Sequence, residues 1–231
     1  MPVTFIGDVH GWSDRLDRVL AQAEGLVVLM GDLIDRGPDS SGVLQRVRQL
    51  CDAGAAQCLL GNHEYAMLCG LGVPDLGVAP DARMFAAWRQ NFGGRAVLTD
   101  FGVDDADGLR DALGDHLDWL ARRPWVLEGD VDGRHWVAVH AGLGEDTYGP
   151  QMEQLAAGWG GDDGAPSHLF NKAWAHCVPV DLPRDWCVVS GHTPVHRPLV
   201  TPQRVLCDTS GGMPDRVLSG VIWPAGRVIT S

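Results

Sequence analysis

The chain has 231 residues, 45% hydrophobic and 21% charged, which suits one globular domain and excludes disorder, collagen and coiled coil. Eighteen basic residues against thirty acidic ones give a formal charge of −12, a field that repels nucleic acid and anionic membrane, so neither is expected as a partner. No run approaches the ~18 apolar residues of a membrane helix, which excludes a helical span.

In chain order, the first sixty residues repeat one unit three times: an apolar run, a Gly-Asp or Gly-Asn loop, then a helix-period stretch. Val3 to Gly7 leads into Asp8-Val9-His10-Gly11, and Ser13 is placed to cap a helix carrying Leu16, Val19, Leu20 and Ala23. Leu26 to Met30 leads into Gly31-Asp32, and Ser40 or Ser41 opens a helix with Val43, Leu44, Val47 and Leu50. Ala56 to Leu60 leads into Gly61-Asn62-His63-Glu64 and an apolar helix through Met67 and Leu71. Short apolar runs alternating with amphipathic helices predict buried parallel strands, whose carboxyl-end loops converge on one crevice. Asp8, Asp32 and Asn62 should therefore meet in space.

Between residues 72 and 121 the rhythm breaks into Pro/Gly loops and two helical patterns, one around Met84, Phe85 and Trp88 and one through Leu113, Leu117 and Leu120. This reads as a helical insertion or cap within a single domain, 1–231. Strands resume at Trp125 to Leu127 and Trp136 to Val139 around a turn at Asp130 to Gly133, the second ending in His140-Ala141-Gly142. Trp186 to Ser190 runs into Gly191-His192, Val205 to Cys207 runs into Asp208, and Val217 to Trp223 begins a closing hairpin. The six cysteines make no C-x-x-C pair and the chain opens on Val3-Thr4-Phe5-Ile6 rather than a charged, then apolar leader, so a cytoplasmic, reducing location is expected.

Five loops at strand ends each offer a ligand-type residue: Asp8 with His10, Asp32, Asn62 with His63, His140, and His192. Asp8 and His10 are two apart at a strand end and project to one side, so carboxylate and imidazole can share a cation. Mixed Asp, Asn and His ligands without cysteine suit divalent metals, with manganese foremost and iron or zinc as alternatives, at a site with open coordination positions.

Gly7-Asp8-Val9-His10-Gly11, Gly31-Asp32-Leu33-Ile34-Asp35-Arg36-Gly37, Gly61-Asn62-His63-Glu64, His140-Ala141-Gly142 and Gly191-His192 resemble, in order and spacing, the phosphoprotein-phosphatase branch of the calcineurin-like metallophosphoesterases. The length and the Asn-His-Glu loop are similar to small bacterial and phage Ser/Thr protein phosphatases. The resemblance implies an α/β fold, a four-layer α-β-β-α sandwich with the site between two sheets. It implies one metal on Asp8, His10 and Asp32 and a second on Asp32, Asn62, His140 and His192, with Asp32 as bridge. It implies hydrolysis of phosphate monoesters by in-line attack of a metal-bridging hydroxide, with a phosphorylated protein or a small phosphoester as the partner molecule.

On the same resemblance, His63 is the general acid and Asp35 the carboxylate that orients it. The planar fork of Arg36 matches two phosphate oxygens, and Glu64 locks its loop, an arginine being one partner open to it. Relatives carry a second phosphate-binding arginine after an apolar-aromatic-Asn run, and Leu169-Phe170-Asn171-Lys172 looks like that run with lysine in its place. Asp208 is placed to orient a ligand histidine. A Ser/Thr protein phosphatase is the first reading. A dinucleoside tetraphosphate hydrolase is the alternative, although that branch usually ends the third motif in aspartate where Glu64 stands. A binding protein that kept the fold and lost catalysis is the reading from a different class.

Overall fold

The computed structural model describes residues 1–160 and 166–231. The strands are β1 (Val3–Ile6), β2 (Leu26–Leu29), β3 (Ala56–Cys58), β4 (Val126–Val131), β5 (Arg134–Val139), β6 (Trp186–Ser190), β7 (Leu199–Val200), β8 (Arg204–Leu206), β9 (Ser219–Trp223) and β10 (Arg227–Thr230). They form two five-stranded sheets, β10-β9-β1-β2-β3 and β4-β5-β6-β8-β7. Strands β1, β2 and β3 pair in parallel, as do β5, β6 and β8, while β9, β10, β4 and β7 add antiparallel pairings at their flanks.

The period of two along each strand explains why the sheets stack. Val3 and Phe5, Val28 and Met30, Trp136 and Ala138, and Cys187 and Val189 share one buried cluster between the sheets. Their neighbours Ile6, Val27, Leu29, Val137, Val139 and Val188 face outward into a second cluster with the helices. Helix, sheet, sheet and helix layers follow, the fold class expected from the sequence.

The helices are α1 (Ser13–Leu20), α2 (Ser40–Asp52), α3 (Asn62–Leu71), α4 (Ala82–Ala87), α5 (Gly94–Phe101), α6 (Ala106–Leu113), α7 (Asp115–Ala121), α8 (Tyr148–Ala157) and α9 (Ser167–Phe170). One cap differs from expectation. Ser13 is the first helical residue rather than the cap of α1, and its hydroxyl donates to Asp39; Ser40 opens α2 as expected, and Asp39 before it caps that helix by accepting from Gly42 N. A carboxylate one residue upstream reaches the free N–H groups and takes the place a serine would fill. The β4–β5 turn at Asp132-Gly133 has φ of 52° and 77°, the left-handed pair a two-residue hairpin requires.

Residues 72–121 hold four α-helices and a π-helical turn at Trp88–Phe92, more than the two patterns predicted. Phe85, Trp88, Val97, Leu109, Leu117 and Leu120 from this segment are buried in the same cluster as Leu71 and Leu60. The 3.6-residue period averaged several short helices broken at Gly93, Gly102 and Gly114, all at positive φ.

Candidate active site

Six strand ends converge. Asp8 and His10 follow β1, Asp32 follows β2, Asn62 opens α3 after β3, His140 follows β5, His192 follows β6, and Asp208 follows β8. All seven are buried. The backbone there is strained: His10, Asp32, Asp35, Arg36 and His192 have φ of 50°, 50°, 74°, 65° and 64°, a conformation costing roughly 1–3 kcal/mol for a side chain and concentrated at functional sites. Glycines make the approach possible. A Cβ on Gly61 would run into the Asp32 carboxylate, and one on Gly191 into that of Asp8.

Carbonyl oxygens only accept, so they fix the imidazole tautomers. His10 Nδ1 donates to Ile34 O at 2.9 Å and His140 Nδ1 to Met30 O at 2.6 Å, which leaves each Nε2 as a lone pair facing the crevice. His192 Nε2 donates to Phe170 O at 3.2 Å, leaving Nδ1 as the lone pair. His140 Nε2 and His192 Nδ1 each lie 2.9 Å from Asn62 Oδ1, so three acceptors face one another. With the Asn62 oxygen inward the three repel one another, a clash that a cation among them relieves, as would an Asn62 amide turned to donate its NH₂; the donor set fits a divalent metal.

Ligand atoms of Asp32, His140 and His192 form one group within 4.8 Å of one another, and those of His10, Asp32 and His63 form a second. Asp32 belongs to both. Its Oδ1 lies 3.5 Å from His140 Nε2, while its Oδ2 lies 3.7 Å from both His10 Nε2 and His63 Nε2. Asp8 is outside both groups. Its two carboxylate oxygens accept from His192 N at 3.0 Å each. Asp208 orients no histidine: Oδ1 accepts from Ser210 N and Gly211 N, and its charge raises the proton affinity of Asp8. The stacking of the two sheets, with β1 in one and β8 in the other, sets these two carboxyls against each other.

His63 Nδ1 lies 2.6 Å from Asp35 Oδ2, which also accepts from Trp88 Nε1 at 3.0 Å. The imidazole is therefore oriented from behind, with Nε2 toward the crevice. Arg36 is exposed and its guanidinium reaches His10 Nε2 and His63 Nε2, both at 3.0 Å, and Gly211 O at 2.6 Å. Lys172 is exposed at the start of a 3-10 turn, and its charge is felt by Asp32 and His192. Glu64 has no arginine partner among the described residues. Its carboxylate accepts from the N–H groups of Gly61, Asp32, Leu33 and Ile34, which the left-handed turn at Asp32 leaves outside any ladder. His116, His135, His168, His176 and His196 stand in neither ligand group.

Two residues at the site escaped the sequence reading. Trp88 lies on a helix-period apolar stripe that gives no sign of its N–H meeting a carboxylate. Arg204 is buried behind Gly142 and donates to Ser190 Oγ, Val188 O and Val205 O, tying together strands β6 and β8. Trp88→Phe should lower stability by about 1.5–3 kcal/mol, the worth of a hydrogen bond to a charged group. Urea unfolding checks this, and the loss should exceed that for Trp119→Phe at the rim of the same cluster.

Burial dominates the proton affinities. It pushes Asp32 up to about 7 and Glu64 up to about 8, and it raises Asp8 and Asp35 as well. It lowers His140 to about 4 and His192 to about 3. In metal-free protein the folded carboxyls bind more protons than the unfolded ones, so their contribution is present at acid pH and lost as pH rises through about 7–8. The histidines act oppositely, losing stability only as pH falls below about 6.5. Between pH ~6.5 and ~8 the carboxyl effect stands alone. Chelated protein should therefore melt lower at pH 8 than at pH 6.5, and Mn²⁺ should abolish that fall, as calorimetry at the two pH values would show.

Residues 1–220 match the calcineurin-like phosphoesterase family. The chain belongs to that family. Its members use two divalent metals. The chain is 32% identical over 161 residues to a symmetrical bis(5'-nucleosyl)-tetraphosphatase of Ralstonia nicotianae, a match covering 68% of this chain and 48% of that protein. It is 34% identical over 148 residues to the corresponding protein of Cronobacter sakazakii, covering 62% and 44%. The chain thus spans about half the length of the curated relatives it matches. A cold-active protein-tyrosine phosphatase of a psychrophilic Shewanella superposes with a TM-score of 0.55 over 99% of this chain and 80% of that one, at 18% identity, a likeness of fold alone. No helix among the described residues is long and apolar enough to cross a membrane.

Proposed function

We propose that this chain is a dimetal-dependent hydrolase of dinucleoside tetraphosphates, cutting the anhydride symmetrically. The observation that carries this reading is the identity with relatives named for that activity. It replaces the Ser/Thr protein phosphatase expected first. The objection from Glu64 also falls, because its carboxylate is engaged by four backbone N–H groups and so serves the architecture of the loop rather than the choice of substrate.

In this reading Asp8, His10 and Asp32 would hold one cation, and Asp32, Asn62, His140 and His192 would hold the other. When bound, the two cations would supply charge to neutralise the phosphoryl oxygens and to activate water. His10 Nε2 cannot serve a metal and Arg36 at once, so a cation there releases the guanidinium fork for phosphate oxygens. Lys172 supplies a further positive charge beside the site of a chain whose formal net charge is −12. Asp35 and Trp88 hold His63 with Nε2 toward the leaving oxygen. Water adds to phosphorus, the central P–O–P bond breaks, and two nucleoside diphosphates depart.

The test is turnover by metal-reconstituted protein on diadenosine tetraphosphate, a phosphoserine peptide, a phosphotyrosine peptide and a phosphodiester. Diadenosine tetraphosphate should be preferred, with ADP as sole nucleotide product. Preference for a phosphopeptide would overturn the reading, and inertness toward all four would favour a binding protein.

A further inference from the structure

We propose that the cavity beside Arg36 is a nucleotide subsite, one that takes the nucleoside and outer phosphates of a substrate whose reacting phosphate lies at the metal ligands. The inference rests on the tetraphosphate reading and extends it to a place on the protein. The cavity, of about 700 Å³, is lined by Trp12, Arg36, Pro38, Arg95, Thr99 and Pro214. That volume lies within the ~300–1,000 Å³ of small-molecule sites. It is continuous with the chemistry through Arg36, whose guanidinium also touches His10 and His63.

Charge selects the occupant. Arg95 and Thr99 also line a neighbouring cavity of about 520 Å³ that reaches Arg89 and Asp104. Neither Arg89 nor Arg95 forms an ion pair among the described residues, and Arg89 Nε is buried without a hydrogen-bond partner. Asp100 lines the first cavity, but its carboxylate accepts from Ser41 N and Ser41 Oγ. Along the two cavities the line Arg36, Arg95, Arg89 thus outnumbers the carboxylates of Asp100 and Asp104, a local positive excess on a strongly acidic protein. A phosphate monoester has one phosphate and leaves that line unused, whereas a polyphosphate extends along it.

The walls suit a flat apolar body. Trp12 is fixed by its indole N–H donating to Gly212 O at 3.1 Å and by the Arg15 guanidinium 3.8 Å from its ring centre. Arg15 in turn donates to Met213 O, Pro214 O and Arg216 O. Trp12 and the 211–216 loop, with Pro214, are thus held in place before any ligand arrives, which lowers the ordering cost of binding a nucleobase against them.

Calorimetric titration of the Mn²⁺-loaded protein with ADP and with inorganic phosphate tests the subsite independently of turnover. ADP should bind at least about tenfold tighter than phosphate. Arg95→Glu, and separately Ala96→Trp, which fills the cavity from α5, should weaken ADP about tenfold or more while phosphate stays within about twofold, the size expected from losing a charge-assisted contact. ADP binding no tighter than phosphate, or ADP affinity indifferent to both substitutions, overturns the proposal. Arg95-dependent ADP binding in a protein inert toward diadenosine tetraphosphate sinks the substrate reading and keeps the subsite. Turnover of that substrate unaffected by either substitution does the reverse.

Discussion

Asp32→Asn is expected to cost at least about 10²–10³-fold in turnover, the loss that follows removal of one preorganised electrostatic contact, and more if both cations leave. The geometry says why this residue outranks the others. Each carboxylate oxygen belongs to a different ligand group, Oδ1 toward His140 and Oδ2 toward His10 and His63. Oδ1 also accepts from His63 N at 3.0 Å, so an asparagine keeps its oxygen there and turns its NH₂ to the other side. That NH₂ donates to the imidazole lone pairs and satisfies them without a metal. The His10 group should therefore empty first and the His140 group weaken. Removing a buried carboxylate should raise the melting temperature of the chelated protein while shrinking the rise produced by Mn²⁺. Metal analysis decides the matter: two tightly bound ions in the variant would show that Asp32 does not bridge.

The residues that converge at the candidate site were legible because the parallel β/α rhythm states where they go. A residue just past the end of a buried strand is delivered to the carboxyl edge of the sheet whatever its partners are, so Asp8, His10, Asp32, His140 and His192 could be placed without knowing the strand order. What the sequence hid depends on packing between distant segments. Glu64 reads as one acidic residue at a helix start, and only the turn at Asp32 creates the N–H groups that it accepts from. The pairing of Asp8 with Asp208 follows from the order of strands in different sheets, which hydrophobic pattern does not encode. Trp88 has the same apolar signature whether or not its N–H meets Asp35. The helices of residues 72–121 were merged because each is shorter than the window that periodicity needs.

Replacing His63 by asparagine separates the chemistry of the leaving group from the assembly of the site. The imidazole sits between Asp35 on Nδ1 and the crevice on Nε2, with Phe92 packed edge-on at 5.1 Å between ring centres. Asparagine fills less of that space and cannot deliver a proton from the same point. An alkyl phosphate must protonate its departing alkoxide, so turnover of a phosphoserine peptide should fall by about 10²–10⁴-fold, the usual worth of general acid catalysis. A tetraphosphate releases a nucleoside diphosphate, already a stable anion, and its loss should be smaller by at least about tenfold. Metal content should change little if His63 acts as acid rather than ligand, although its Nε2 lies within one of the two ligand groups. Loss of one ion with equal damage to both substrates would instead make His63 a metal ligand. Retention of both ions with equal damage would assign it to positioning.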